Sequence, residues 1–131
     1  MRNKFLICLK SSEGRIVEKK SEFIADIFPI VSEADALEKL EQIRKKYWDA
    51  NHHCFAYILG DEIKKMSDDG EPSQTAGKPM MDILESENLH NILVVVTRYS
   101  RRVLPFHHSL KSLYILFERL VDQTNETPVP L

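Results

Sequence analysis

The apolar run that follows Asn91 limits the folds open to this chain more than any other segment. It reads Ile-Leu-Val-Val-Val-Thr from Ile92 to Thr97, without a charged residue. Runs of this composition and length are typical of a strand that is covered on both faces. We therefore expect a buried strand at 92–97 inside a sheet.

The remaining patterns predict a small α+β domain. Ser32 with Asp35 resembles a capping box, and Leu40 and Ile43 continue a helical period that ends near Trp48. Pro79 is typical of the first turn of a second helix. Further strands are predicted at 4–9, 15–30, 53–59 and 63–66, and a helix at 108–121. We expect one domain over residues 1–122, a mostly antiparallel sheet with the helices on one face, and a loose tail at 123–131.

Length and composition restrict the class of protein. The 131 residues fit one domain, and 43% apolar and 29% charged residues are typical of a soluble globular chain. Two cysteines, Cys8 and Cys54, without a signal peptide indicate reduced thiols and a cytoplasmic location. No apolar run approaches 18 residues, so no membrane span is expected. The net charge of −2 does not favour nucleic acid, but residues 98–119 carry five bases against one acid.

A polar loop from Ser67 to Pro79 is the least generic part of the chain. Its glycines and prolines require turns, and its carboxylates, hydroxyls and lysine are dense. Lys78 with Ser73 and Thr75 at a helix N-terminus could receive a backbone phosphate of RNA. The alternative is an ordered loop whose polar groups hydrogen-bond to one another. Nucleotide hydrolysis is disfavoured, because the glycine spacing does not fit a phosphate-binding loop.

Four segments together resemble one known family. Asp68 to Pro79 read Asp-Asp-Gly-Glu-Pro-Ser-Gln-Thr-Ala-Gly-Lys-Pro, which differs from the signature of the YigZ/IMPACT family only at Gln74. The other three segments are Lys-Ser-Glu-Phe-Ile-Ala at 20–25, His-His-Cys-Phe-Ala-Tyr at 52–57 and Val-Val-Val-Thr-Arg-Tyr at 94–99. The resemblance covers about residues 18–99.

The resemblance implies a fold and a role. The fold is similar to domain 2 of a small-subunit ribosomal protein. The implied role is non-enzymatic regulation of translation. In eukaryotic relatives this role involves interference with the activation of a stress-responsive kinase. In bacterial relatives nucleic-acid binding is suggested. RNA, the ribosome and translation factors are the implied partners, and no cofactor is implied.

The chain departs from the family pattern after Tyr99. The family continues with Phe-Gly-Gly and often with a second, ferredoxin-like domain, whereas no glycine follows Gly77 here. We expect that second domain to be absent. A frameshift or truncation near residue 100 and genuine divergence are the two explanations.

The expected binding surface combines the loop with the end of the buried strand. Arginine binds phosphate and tyrosine stacks on bases, so Arg98 and Tyr99 are candidates for RNA contact. The alternative for Arg98 is a salt bridge with an acid of residues 68–71. The full predicted binding set is Asp68, Asp69, Gly70, Glu71, Ser73, Thr75, Gly77, Lys78, Arg98 and Tyr99.

Other chemistries remain as alternatives. Asp68, Asp69 and Glu71 could bind a cation, or act with His52 in hydrolysis of a phosphorylated or peptide substrate. His52 and Cys54 face the same side of a strand, but two ligands are too few for a structural metal site. We therefore expect no catalytic residues and no metal. A last alternative is a frameshifted fragment without function.

Overall fold

Ten elements make up the part of the chain that the computed structural model describes, which is residues 4–8, 11–18, 21–71, 73, 74, 76–100 and 125–130. Two are helices and eight are strands. In chain order they are β1 Lys4–Cys8, β2 Ser12–Glu18, β3 Ser21–Pro29, α1 Glu33–Lys46, β4 His52–Leu59, β5 Ile63–Ser67, α2 Gly77–Ser86, β6 Leu89–His90, β7 Ile92–Ser100 and β8 Asn125–Pro130.

The main sheet has five antiparallel strands in the order β2-β3-β7-β4-β5. The apolar run of β7 forms the central strand, and its residue Val94 lies opposite Ile27 of β3 and Ala56 of β4. Residues 92–97 expose at most 3% of their surface. The predicted strand at 92–97 is therefore confirmed. The predicted strand at 63–66 is also confirmed, because these residues form β5.

The two helices cover opposite faces of this sheet. Alternate residues of a strand point to opposite faces. Val94 and Val96 pack in one apolar cluster with Met80 and Leu84 of α2. Leu93 and Val95 pack in a second cluster with Ala36, Leu40 and Ile43 of α1. The α+β class and the antiparallel sheet are confirmed, but the expectation that the helices share one face is wrong, because the central strands are apolar on both sides and each side needs cover.

Local sequence signals explain where α1 begins. The Ser32 Oγ accepts a hydrogen bond from the Asp35 N–H at 3.0 Å, and the Asp35 carboxylate accepts one from the Val31 N–H at 3.0 Å. The first bond satisfies one of the N–H donors that a helix N-terminus leaves unpaired, and the second ties the residue before the cap to the first turn. The predicted helix and its Ser32 cap are confirmed, whereas the Asp35 carboxylate binds the Val31 N–H and not the Ser32 N–H of a complete capping box.

A second, three-stranded sheet has the order β6-β1-β8, in which β8 pairs antiparallel with β1. The expectation of a loose tail at 123–131 does not hold for residues 125–130. Pro128 and Pro130 lie two residues apart, so their missing N–H groups fall on the same edge of β8, as an outer strand allows. The predicted helix at 108–121 lies outside the described residues. Neither α1 nor α2 has the length and apolar character needed to cross a bilayer.

Candidate functional site

The loop between β5 and α2 is held in a tight, irregular conformation. Asp69, Gly70 and Gln74 have positive φ angles of 45°, 92° and 63°. The Glu71 N–H donates to the Asp68 carbonyl oxygen at 2.9 Å, and the Asp69 N–H donates to Ser67 Oγ at 3.1 Å. The loop is thus built from local turns, as its composition indicates.

The Asp68 carboxylate organises the second half of the loop. Its Oδ1 accepts hydrogen bonds from the N–H groups of Ala76 and Gly77, at 3.1 and 2.8 Å, and its Oδ2 accepts one from Gln74 at 2.8 Å. Burial alone would raise the pKa of Asp68, but the three N–H donors outweigh it and hold the pKa below its usual value. The anion at the N-terminus of α2 is therefore this carboxylate, and the alternative of an ordered loop with internal hydrogen bonds is the observed arrangement.

Asp69 connects the loop to the start of β4. Its Oδ2 accepts a hydrogen bond from the His53 N–H at 2.7 Å, and its carbonyl oxygen lies 2.8 Å from His52 Nδ1. A carbonyl only accepts, so the proton of neutral His52 resides on Nδ1. A Cβ at Gly70 would lie 3.3 Å from the His52 ring, and the φ of 92° also favours glycine there.

Glu71 and Arg98 form a buried ion pair. The Arg98 Nη1 lies 2.9 Å from both oxygens of Glu71, and the side chains of Arg98 and Glu71 expose 2% and 1% of their surface. The guanidinium also lies over the Phe23 ring, 5.5 Å from its centroid. The salt-bridge alternative for Arg98 is therefore the observed arrangement, and Arg98 does not lie on a surface open to RNA.

The other residues of the predicted set are spread over different environments. Ser73 is exposed, and so is Lys78, whose Nζ lies 3.2 Å from Asp82 of the same helix. Gly77 is buried, and a Cβ there would lie 3.0 Å from the Ser67 nitrogen. Thr75 lies outside the described residues.

Tyr99 lies on the opposite face from Arg98, because the two are neighbours in β7. Its hydroxyl donates to Asp49 Oδ1 at 2.9 Å, and its ring packs edge-on against Tyr47 with the centroids 6.3 Å apart. Partial burial and the bond to Asp49 raise the pKa of Tyr99 to about 12. The predicted set therefore does not form one continuous surface.

The groups considered for catalysis or metal binding are engaged in the structure. The Cys54 thiol donates to the Asp68 carbonyl oxygen at 3.2 Å, and burial, with the nearby carboxylates, raises its pKa well above the usual value. The thiol is therefore a poor nucleophile. His52 Nε2 lies 3.9 Å from Glu71 Oε2. Within the described ranges, no group of three or more histidine, cysteine, aspartate or glutamate side chains is placed to hold a metal ion.

Two residues outside the predicted set stand out in the structure. Asp26 is 5% exposed, and burial, reinforced by Glu13, raises its pKa to about 6. Trp48, which follows the last turn of α1, exposes 78% of its surface. An aromatic pair after a basic run, Tyr47-Trp48, was the sequence signal for Trp48, whereas alternation in β3 gave no sign that Asp26 is buried.

Comparisons with known proteins agree with these observations. A model of the Impact N-terminal domain family matches residues 19–103. The chain is 41% identical over 101 residues to the IMPACT family member YvyE of Bacillus subtilis (strain 168), in a match that covers 76% of this chain and 46% of that protein. The chain spans less than half the length of the curated relatives it matches.

Solved structures give the same result for the fold. A crystal structure of a hypothetical protein matches with a TM-score of 0.84 and 29% identity, over 99% of this chain and 65% of that one. The two-domain translational regulator Yih1 matches with a TM-score of 0.52 and 26% identity, over 78% of this chain and 43% of that one. All three matches include the loop and the residues of the buried ion pair. The chain belongs to the Impact N-terminal domain family.

Proposed function

We propose that this chain is a non-enzymatic binding domain that acts in the regulation of translation. The observation that carries the proposal is that the three loop carboxylates are all engaged in holding the fold. Asp68 binds backbone N–H groups, Asp69 binds the start of β4, and Glu71 binds Arg98. A catalytic carboxylate must be free to exchange a proton with substrate, whereas these groups order the loop that they belong to.

The link to translation rests on the family. The translational regulator Yih1 has the same fold over 78% of this chain. We infer a partner from the translation machinery, either the ribosome, a translation factor or RNA, encountered in the cytoplasm. The exposed residues Ser73, Gln74 and Lys78 are the part of the loop that such a partner can reach.

Hydrolysis is the less favoured alternative. It would require Asp68, Asp69 and Glu71 to act with His52 on a substrate. His52 lies near Glu71, but the Glu71 carboxylate exposes only 1% of its surface and already neutralises Arg98. Substrate could reach it only after a buried ion pair has been broken, which is energetically costly.

A reconstituted translation reaction tests the proposal. The purified chain is titrated into the reaction, and the yield of a reporter protein is measured against the same amounts of heat-denatured chain. We expect a dose-dependent change in yield that saturates. An unchanged yield at all concentrations of the folded chain would overturn the proposal.

A further inference from the structure

An aromatic side chain lies largely in solvent at the end of α1. Trp48 is the single tryptophan of the chain and exposes 78% of its surface directly after Tyr47, the C-terminal cap of the helix. Tryptophan is on average a highly buried residue. Its exposure costs hydrophobic stabilisation that packing into the sheet would have supplied. A contact with a partner would account for its position.

Three cations precede this tryptophan closely in sequence. Arg44, Lys45 and Lys46 form the last turn of α1 and all three are exposed. Lys46 lies 3.7 Å from Glu13, whereas Arg44 and Lys45 form no ion pair with any residue that the structure describes. Basic residues at a helix C-terminus complement the helix dipole, but this effect does not require an exposed aromatic ring beside them.

A second aromatic residue is fixed close to the same helix end. Tyr99 is half-buried, its hydroxyl donates to Asp49, and its ring packs against Tyr47. Tyr99 therefore contacts both residues that flank Trp48 in the chain, Tyr47 and Asp49. The bond to Tyr99 also engages the Asp49 carboxylate, the acid nearest to Trp48 in sequence.

We propose that Trp48 and Tyr99, together with Arg44, Lys45 and Lys46, form a contact surface for single-stranded RNA. This inference deepens the proposed function and rests on it. Unpaired bases stack on exposed aromatic rings, and arginine and lysine bind the phosphates between them. Of the residues that the sequence predicted, this surface includes Tyr99 but not the buried Arg98. Its positive charge comes instead from the three cations of α1.

The chemistry favours RNA over a protein partner. Interfaces between proteins use tryptophan and arginine as anchors, but they are depleted in lysine. Here two of the three cations are lysines, and the charges complement a phosphate backbone. Double-stranded RNA offers no free base faces, so it should bind less tightly than the single strand.

Fluorescence polarisation of a labelled oligouridylate tests the surface. Trp48→Ala should weaken binding about tenfold, because stacking on an aromatic residue is worth roughly that much per base. Trp48→Phe should keep most of the affinity. Arg44→Ala combined with Lys45→Ala should lower the slope of log affinity against log salt by about 0.7 for each phosphate that the variant no longer neutralises.

Two control variants separate this surface from the rest of the molecule. Leu37→Ala removes another exposed apolar residue of α1, and Lys64→Ala removes an exposed lysine of β5. Neither should change the affinity. Wild-type affinity in Trp48→Ala, an equal loss of affinity in Lys64→Ala, or no binding of oligouridylate by the wild-type chain would each overturn the inference.

The translation reaction keeps the two proposals distinguishable. If Trp48→Ala still changes the reporter yield as the wild type does, the regulatory role stands without this RNA surface. If the variant loses RNA binding and its effect on yield together, both proposals are supported. If the wild type binds RNA through Trp48 but leaves the yield unchanged, the surface stands and the regulatory role is refuted.

Discussion

Replacing the buried Asp26 with asparagine should stabilise the protein at neutral pH. Asp26 lies in β3 with 5% exposure, and its Oδ2 has no hydrogen-bond partner among the residues that the structure describes. Burial is the largest cause that raises its pKa to about 6, and Glu13 adds to it, whereas Lys46 and Arg15 act in the opposite direction. The folded protein therefore carries a costly charge at this position above pH 6.

The size and sign of the effect follow from the two pKa values. An ordinary aspartate pKa is 3.8, and that of folded Asp26 is about 6. Since one pKa unit corresponds to about 1.4 kcal/mol, the ionised group lowers the free energy of unfolding by about 3 kcal/mol. Because the folded pKa is raised, the stability that the protonated group provides is fully present below pH 4 and is lost as the pH rises through 6.

Urea unfolding at several pH values measures the effect. The difference in unfolding free energy between Asp26→Asn and the wild type should be small at pH 4. At pH 8 the variant should be more stable by about 3 kcal/mol. Asp61→Asn, which removes a charge from an exposed turn, is the control for net charge alone. A difference that does not change with pH, or a variant less stable than the wild type at pH 8, would show that ionised Asp26 does not destabilise the fold.

Substitutions in the loop should each lower the free energy of unfolding, which chemical denaturation measures. Glu71→Ala leaves Arg98 buried without its partner and should lower the unfolding free energy by about 3–5 kcal/mol, much of it recovered when both residues become methionine. Asp68→Ala should lower the unfolding free energy by about 2 kcal/mol at neutral pH and by less in acid. Because the folded pKa of Asp68 is lowered, its stabilisation is fully present above the ordinary pKa and is lost as the pH falls through the lowered one. Gly70→Ala, with a φ of 92° and a crowded Cβ, should cost about 1–3 kcal/mol, more than Gly60→Ala, which also has a positive φ of 60° but whose Cβ meets nothing within 4 Å. Equal losses in the two glycine variants would contradict this account of the loop.

Signals confined to one segment predicted the fold well. The central strand followed from an apolar run, and α1 followed from the capping pattern of Ser32 and Asp35 with its apolar period. The turn residues of the loop likewise predicted an irregular connection between β5 and α2. These features depend on neighbours in the chain, so the sequence alone contains the information.

Features that depend on distant residues could not be predicted in the same way. The helical period of α1 shows which of its faces is apolar, but not which face of the sheet it covers. Sequence offered three acids as partners of Arg98, and only the folded loop brings Glu71 to it. The free edge of β1, which β8 pairs with, is likewise a property of the assembled sheet.

Comparing Asp69→Asn with the wild type in the translation reaction separates a carboxylate that holds the fold from one that acts on a substrate or a partner. Asp69 serves the fold by accepting from the His53 N–H, and an asparagine oxygen can accept the same hydrogen bond. A binding domain therefore predicts titration curves for the variant and the wild type that coincide. Loss of the effect in a variant that remains folded by circular dichroism would show that the negative charge of Asp69 acts on a substrate or a partner, and would contradict its purely structural role.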